Sequence, residues 1–451
     1  MLRLLLVGFG SLALLDANFV PTASYTFADF CRDFGRDYEL GTAEYHRRKV
    51  IFDARLKEVL AHNTDASKPW RRGINRFSDF SAEEFRASGR LGYNRKLAKH
   101  LAGQTASDVA TTRFAPKSLA DVPASWDWRD KGVVSDVKDQ GHCGSCWAFA
   151  TTATIESHLA IQKGVVEVLS PQQLVSCAPN PLHCGGTGGC SGSVPEVAFQ
   201  YAQLMGGLTT EWRYPYTSYQ GEASACVSNQ SLVRPVVQIA GYVKLMSNDY
   251  NHVISALYQV GPLAINVAAD AWSDYHSGIF SGCSDLSDVS INHVVVLVGY
   301  GTDQDLGDYW LVRNSWDATW GEKGYIRLNR TAEPECGEDV QPLDGTGCDG
   351  GPAKQRVCGQ CGLLFDVSYP LGVGWSETTP APPPPTTTTT TTSPEPPAPT
   401  TTTVTTTTTT SPEPPAPTTT TLTTTTTEAA TTTTATTTTT QEASGGAIFQ
   451  V

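Results

Sequence analysis

Every one of the ten tryptophans and twelve cysteines in this 451-residue chain lies at or before Trp375, while Ser376 to about Gln441 is almost entirely Thr, Pro, Ala and Glu. That division decides where a core can form. A segment with hardly any large apolar side chains cannot bury enough surface to offset the entropy of ordering it. Residues 376–451 are therefore expected to form a disordered, extended tail. Ser-Pro-Glu-Pro-Pro-Ala-Pro-Thr recurs in it at Ser393 and Ser411 between Thr runs, the composition of an O-glycosylated stalk. Such a tail serves equally as a tether to a wall or matrix and as an inert spacer. At roughly 100–200 residues per domain, the remainder holds two or three regions.

The first residues read as a secretory signal, placed at 1–23: Arg3, an apolar run from Leu4 to Leu15, and small residues at Ala17 and at Thr22–Ala23. The run is shorter than the roughly 20 apolar residues that cross a bilayer, and no other segment approaches that length, so no transmembrane segment is expected. Export leads outside the cell or into an acidic lysosome- or vacuole-like compartment. There cysteines pair as disulfides. Cys358-Gly-Gln-Cys361 has zinc-like spacing, but no second pair of ligands stands near it. Neither a metal nor a cofactor is expected.

Charge is divided unevenly. Asp29 to Lys117 carries 18 Lys/Arg against 12 Asp/Glu, and the chain from Asp121 onward carries 13 against 32. An acidic body argues against nucleic acid as a partner. A basic leader beside it suggests that one binds the other.

The densest chemistry lies at Gln140-Gly-His-Cys-Gly-Ser-Cys-Trp-Ala-Phe149. Ala148, Thr152, Ile155 and Leu159 keep helical spacing after Cys146, and Lys163-Gly164 reads as the end of that helix. A cysteine at a helix N-terminus, helped by a protonated imidazole, has its thiol pKa lowered to about 3.5–7.5. Further on, Ile291–Tyr300 and Tyr309–Asn314 read as two strands joined by the Gly/Asp-rich stretch Thr302–Asp308. Antiparallel pairing about the centre of that loop places His293 opposite Asn314, within a few residues of register. A thiol, an imidazole and an amide so arranged can carry out acyl transfer. Gln140 and the Cys146 backbone N–H can supply oxyanion donors.

Several segments together resemble the papain family of cysteine proteases. They are Trp126-Asp-Trp-Arg-Asp-Lys-Gly132, Leu169-Ser-Pro-Gln-Gln-Leu-Val-Ser-Cys177, the Cys146 segment, Asn292-His-Val-Val-Val-Leu-Val-Gly-Tyr-Gly301, Arg313-Asn-Ser-Trp316 and Trp320-Gly-Glu-Lys-Gly-Tyr-Ile-Arg327. The resemblance runs from about Val122 to Pro370. It implies an α+β fold of two domains, one mainly helical and one a β-barrel, with the active site in the cleft between them over residues 122–375. Cys146 is then the nucleophile, His293 its base, Asn314 the orienting amide, Gln140 an oxyanion donor, and Trp316 a shield for the His293–Asn314 pair. Asn314 stands 168 residues after Cys146, farther than the roughly 150 of the family pattern.

Upstream, Glu44, Arg48, Phe52, Val59 and Asn63 resemble the helical motif of cathepsin-L-type propeptides, with Arg55 in place of an expected Asn. Gly73-Ile-Asn-Arg-Phe-Ser-Asp79 resembles its companion motif. Residues 24–121 are then a helical inhibitory propeptide, the enzyme's own intramolecular partner. Protonation of carboxylates in acid is expected to loosen it. The resemblance also implies the disulfides Cys143–Cys190, Cys177–Cys226 and Cys283–Cys361, and leaves Cys184, Cys336, Cys348 and Cys358 unassigned. Ser193, Pro195, Asn266, Asn292 and Asp366 fall where the family holds substrate, Asp366 at a position that can admit a basic side chain where aromatic or aliphatic ones are usual. No segment resembles a carboxylate-binding occluding loop. A secreted, monomeric endopeptidase zymogen acting on peptides and proteins is the reading preferred. The alternative is an adhesive protein with a binding domain on a stalk.

Overall fold

The computed structural model describes residues 19–92 and 114–376, apart from 228, 230, 231 and 284, and within the tail only the antiparallel pair Thr401–Thr402 and Thr426–Thr427. The expected signal and most of the tail lie outside the described residues. The tail from Pro382 forms a unit separate from the rest.

The leader opens with helix α1 (Phe27–Asp33), where Thr26 and Asp29 close a reciprocal capping box, and α2 (Ala43–Thr64), capped by Thr42. Both present apolar faces to a small core of Phe27, Phe30, Phe52, Val59 and Ile74. The motif positions each do identifiable work. Glu44 and Arg48 pair at 2.7 Å across one helical turn. The Asn63 amide donates to the Arg72 carbonyl at 2.8 Å and accepts from the Arg72 N–H at 2.9 Å, clamping strand β1 (Trp70–Arg72) to α2. Asp79, fully buried, accepts from Arg36 and Tyr38. Helix α3 (Ala82–Ala87) follows.

After the leader come β2 (Trp126–Asp127) and the helices α4 (Cys146–Lys163), α5 (Pro171–Cys177) and α6 (Pro195–Leu204). Helix α4 ends where Gly164 takes φ +72° as its left-handed cap. It is buried along its length from Cys146 to Ala160 and anchors the helical half. The β half runs through β3 (Val237–Gln238), β4 (Gly241–Lys244), α7 (Tyr250–Gln259), β5 (Leu263–Val267), β6 (Tyr275–Phe280), β7 (His293–Asp303), β8 (Gly307–Arg313), β9 (Tyr325–Asn329), β10 (Cys336–Asp339), β11 (Gln355–Cys358), β12 (Val367–Leu371) and β13 (Gly374–Trp375). Its main sheet has the order β1-β6-β9-β8-β7-β5-β12-β4, with β2 also on β7. The leader thus contributes an edge strand to the body's own sheet. Gly278 makes this possible: at φ +92° a Cβ there would stand 2.4 Å from the Pro69 carbonyl oxygen.

The expected hairpin is β7–β8, but its register differs from the symmetric one. Val296 faces Arg313, and past an irregularity at residue 298 Tyr300 faces Trp310. His293 lies beyond the end of that ladder and instead pairs with Val267 of β5. The shift is set by the turn: Asp303 faces Gly307, so the hairpin centres on residue 305 rather than between 303 and 304, and the extra residue at Val298, whose carbonyl accepts from the Trp128 N–H, takes back one position. The joining loop shrinks to residues 304–306.

Candidate active site

Cys146 opens α4 from the helical half, and its Sγ accepts from the Val294 N–H at 3.3 Å, one residue past His293 on the β half. His293 Nε2 and Asn314 Oδ1 are 2.8 Å apart, and the imidazole lies on the Trp316 ring at 4.9 Å. Trp316 is fully buried. Gln140 completes the group: its Nε2 donates to the carbonyls of Gly89, Arg90 and Cys143 at 3.2, 3.2 and 3.0 Å. Ser315 Oγ, 2.6 Å from Gln140 Oε1, holds the amide that way round. Ser315 was not singled out from the sequence, though it stands between Asn314 and Trp316.

The leader lies directly on these groups. The Gly92 N–H donates to the Asn292 carbonyl at 2.9 Å. A Cβ on Gly92 would come within 2.1 Å of Cys146 Sγ, and one on Gly192 within 1.9 Å of the Gly92 carbonyl oxygen. Only a bare backbone fits between Cys146, Asn292 and Gly192. Trp316 Nε1 donates to the Arg90 carbonyl at 3.0 Å. With water excluded, burial pushes the Cys146 thiol up to about 12 and the His293 imidazole down to about 4. A depressed thiol pKa was expected from the helix N-terminus. In this covered state burial outweighs it, so thiol and imidazole are both neutral.

Leader and body meet through opposite charge. Arg55 and Arg72 approach Asp274 at 3.4 and 3.5 Å, Arg86 meets Asp270 at 2.7 Å, and Arg76 meets Asp139 at 2.9 Å. Arg90, itself buried, also pairs with Asp139. Asp139 is held below the usual carboxylate range despite its burial, chiefly by Arg90 and then Arg76. Beside them, His142 bonds the Ser88 backbone, and burial and Arg90 hold its imidazole below the ordinary value.

Of the expected substrate-holding residues, Ser193 is fully buried just before α6, whose first residue is Pro195. Asn292 accepts from the Ala269 N–H at 2.9 Å through Oδ1. Asn266 Nδ2 donates to the Asp366 carbonyl at 3.3 Å. Asp366 is not a free acid: Lys244 Nζ stands 2.8 Å from its carboxylate and 3.0 Å from Glu196. Burial and Glu196 push Asp366 up to about 7 against the pull of Lys244. Lys244, on an edge strand remote in sequence, carried no signal by which it could have been picked out.

Disulfides join Cys143–Cys190, Cys177–Cys226, Cys283–Cys361, Cys184–Cys348 and Cys336–Cys358. Cys358 and Cys361 are thus in separate bridges, and no cluster of three metal-ligating side chains occurs among the described residues. Nor does any described helix have the length and apolarity to cross a membrane.

A helical half, a β half and a plug drawn from the same chain make this a self-inhibited thiol hydrolase. Residues 122–346 match the family model "Papain family cysteine protease", and residues 27–85 match "Cathepsin propeptide inhibitor domain (I29)". The chain is 39% identical to "Probable cysteine protease RDL3" of Arabidopsis thaliana over 68% of its own length and 78% of that protein. It is 38% identical to "Oryzain beta chain" of Oryza sativa subsp. japonica over 75% of its length, spanning 64% of the rice protein. Among solved structures, "Recombinant stem bromelain precursor" superposes with a TM-score of 0.59 at 31% identity, over 76% of this chain and 97% of that one. The chain belongs to the papain family of cysteine proteases and is an endopeptidase zymogen that carries its own inhibitor domain. These relationships lend no support to the adhesive alternative.

Proposed function

We propose that Cys146, once the leader departs, attacks the scissile carbonyl as a thiolate. His293 protonates the leaving amine and then activates the water that releases the thioester. Asn314 orients the imidazole, and Gln140 Nε2 with the Cys146 N–H receives the oxyanion. The observation that carries this reading is the arrangement around Gly92: bare backbone lies over the sulfur, with Gln140 Nε2 turned toward peptide carbonyls. Both halves of the site come from one chain, which is consistent with a monomer. Acid activation of a peptide substrate, followed by peptide mapping of an alkylating thiol label, tests it: one new label is expected, on Cys146.

The leader, placed by the sequence at 24–121, is here proposed to begin before Phe19 and end about Asp121, with the peptidase at 122–375 and the tail at 376–451, in an exported protein of an acidic compartment. Phe19 pairs with Ile74 and packs on Tyr25. Signal removal after Ala17 keeps that contact, whereas removal after Ala23 loses it.

Acid opening is assigned to two groups with separate ranges. Both Arg partners of Asp139 belong to the leader, so the largest part of the depression of its carboxyl is confined to the zymogen, while the Gly141 N–H and the Tyr219 hydroxyl of the body still lower it. Its attraction is full above the ordinary carboxylate value near 3.9 and is lost as pH falls through that value toward the depressed one. His142 titrates earlier. Its imidazole is lowered in the zymogen, so the leader prefers it neutral. The hold is full above the ordinary value of about 6.5 and weakens as pH falls below it. Trp70, Phe77, Phe85 and Leu91 of the leader are buried in the body's core, and these apolar contacts, worth roughly 1.5–3 kcal/mol each, involve no titrating group. Acid therefore loosens the plug and cleavage completes its removal. His142→Gln is expected to slow self-processing at pH 5.5 by about threefold or more, at pH 4 by at least as much, and to leave it unchanged at pH 7, as read from gel time courses. An unaltered rate at pH 5.5 would remove His142 from the trigger.

Because Lys244 offsets the charge of the buried Asp366–Glu196 pair, the neighbouring subsite is proposed to favour aromatic or aliphatic residues two before the scissile bond. Phe is expected to exceed Arg there by about tenfold, and Lys244→Met to shift the Arg/Phe ratio toward Arg by a similar factor. Equal rates for both in the wild type would refute this.

A further inference from the structure

The segment between Cys336 and Cys358 is attached to both walls of the cleft. On the β wall it docks as a hairpin: the Val289 N–H donates to the Glu338 carbonyl at 2.8 Å, and the Glu338 N–H to the Leu286 carbonyl at 3.0 Å. Gly345 sits so close that a Cβ on it would be 2.0 Å from the Ile291 carbonyl oxygen. Ile291 directly precedes Asn292, whose carbonyl holds the leader over Cys146. The tip then reaches the helical wall. The Cys184–Cys348 disulfide joins them, the Gly185 N–H donates to the Gly347 carbonyl at 3.1 Å, the Asp349 N–H to the Leu182 carbonyl at 2.8 Å, and His183 meets Asp349 at 2.7 Å. Gly185 in turn adjoins Gly192: a Cβ on Gly192 would be 2.3 Å from the Gly185 carbonyl oxygen and 1.9 Å from that of Gly92. The two anchor points are thus one residue or one contact away from the groups that enclose Gly92.

The side of the cleft follows from the proposed chemistry. The imidazole that hands its proton to the leaving amine stacks on Trp316, so the amine departs on the Trp316 side. The acyl part of the substrate then lies toward Gly192 and Asn292, beside which the hairpin and the tip of the segment are fastened.

We propose that residues 336–358 are a fixed strap across the acyl end of the cleft, so that the enzyme favours bonds only a few residues from a substrate's N-terminus and trims amino-terminal segments faster than it cuts within chains. The bridge at Cys184–Cys348 makes the barrier covalent. This rests on the peptidase reading above and adds a limit on substrate length to it.

The test uses the acid-activated enzyme and peptides with one scissile bond and one common C-terminal half, extended to two, three, five or eight residues on the N-terminal side, with products separated by chromatography. We expect kcat/KM to fall by about tenfold or more between three and eight residues. We expect Cys184→Ser/Cys348→Ser to recover most of that loss while cleaving the shortest peptide at the wild-type rate. Constant or rising kcat/KM with length in the wild type overturns the strap, whether or not the double variant folds. A fall that persists in a folded double variant also overturns it, since the barrier would then not depend on the bridge. Absence of cleavage at every length would instead sink the peptidase reading.

Discussion

Replacing Cys146 by alanine is expected to leave a folded zymogen with its leader in place and to lower kcat/KM on any peptide by about 10⁴-fold or more. The size follows from the role, because the remaining donors can still bind and polarise a carbonyl but nothing can form the thioester. The fold should survive, since the side chain lost is small and α4 is held by burial from Trp147 to Ala160. The same sulfur reports on the covered state. In the zymogen the thiol is pushed up to about 12 and His293 down to about 4, both by burial, so thiolate is scarce at neutral pH and alkylation is slow. Removal of Gly92 returns water to the pair, and labelling is expected to accelerate. Cys31, the other free cysteine, makes peptide mapping necessary. Equal labelling rates before and after activation would contradict the burial account.

Arg90→Ala is expected to raise the alkylation rate of Cys146 in the intact zymogen at pH 7 by about 30-fold or more. Truncating one partner of a buried charge pair costs about 2–5 kcal/mol, and each 1.4 kcal/mol is a tenfold change in the open population. Arg90 is 3% exposed, pairs with Asp139 and stacks over Phe77 at 5.3 Å. Its backbone carbonyl accepts from Trp316 and Gln140, so it holds the plug where Gln140 and Trp316 are covered. Arg86→Ala is the control. Its side chain is 59% exposed where it meets Asp270, and a pair of that kind is worth about 0–1 kcal/mol, under about fivefold in rate. If the two variants open the zymogen equally, the buried pair has no special weight.

The leader shows how far a pattern can be read before the structure is known. Its excess of positive charge over an acidic body announced contact, but not that Arg76 and Arg90 share Asp139, nor that Trp70–Arg72 adds a strand to the body's sheet. The helix at Cys146 and its stop at Gly164 were legible because helical spacing and a glycine cap are local features. The nearness of His293 and Asn314 was legible too, but the register that brings them together was not. A symmetric hairpin put Asn314 across a ladder, whereas the turn centres on residue 305 and leaves His293 past the end of that ladder, on β5. Nε2 and Oδ1 still meet because both residues lie at the same end of the sheet.

What the sequence by itself determined is what short-range physics encodes: which part of the chain can bury a core, where α4 starts and stops, and which residue types are available for thiol chemistry. Tertiary structure alone decided that Lys244 meets both Asp366 and Glu196, that Cys184 bridges to Cys348 across 164 residues, and that Gly92 covers the sulfur so fully that burial overrides the helix N-terminus. Each of these depends on groups distant in the chain meeting in a water-poor space, and neither periodicity nor composition specifies which distant groups will meet.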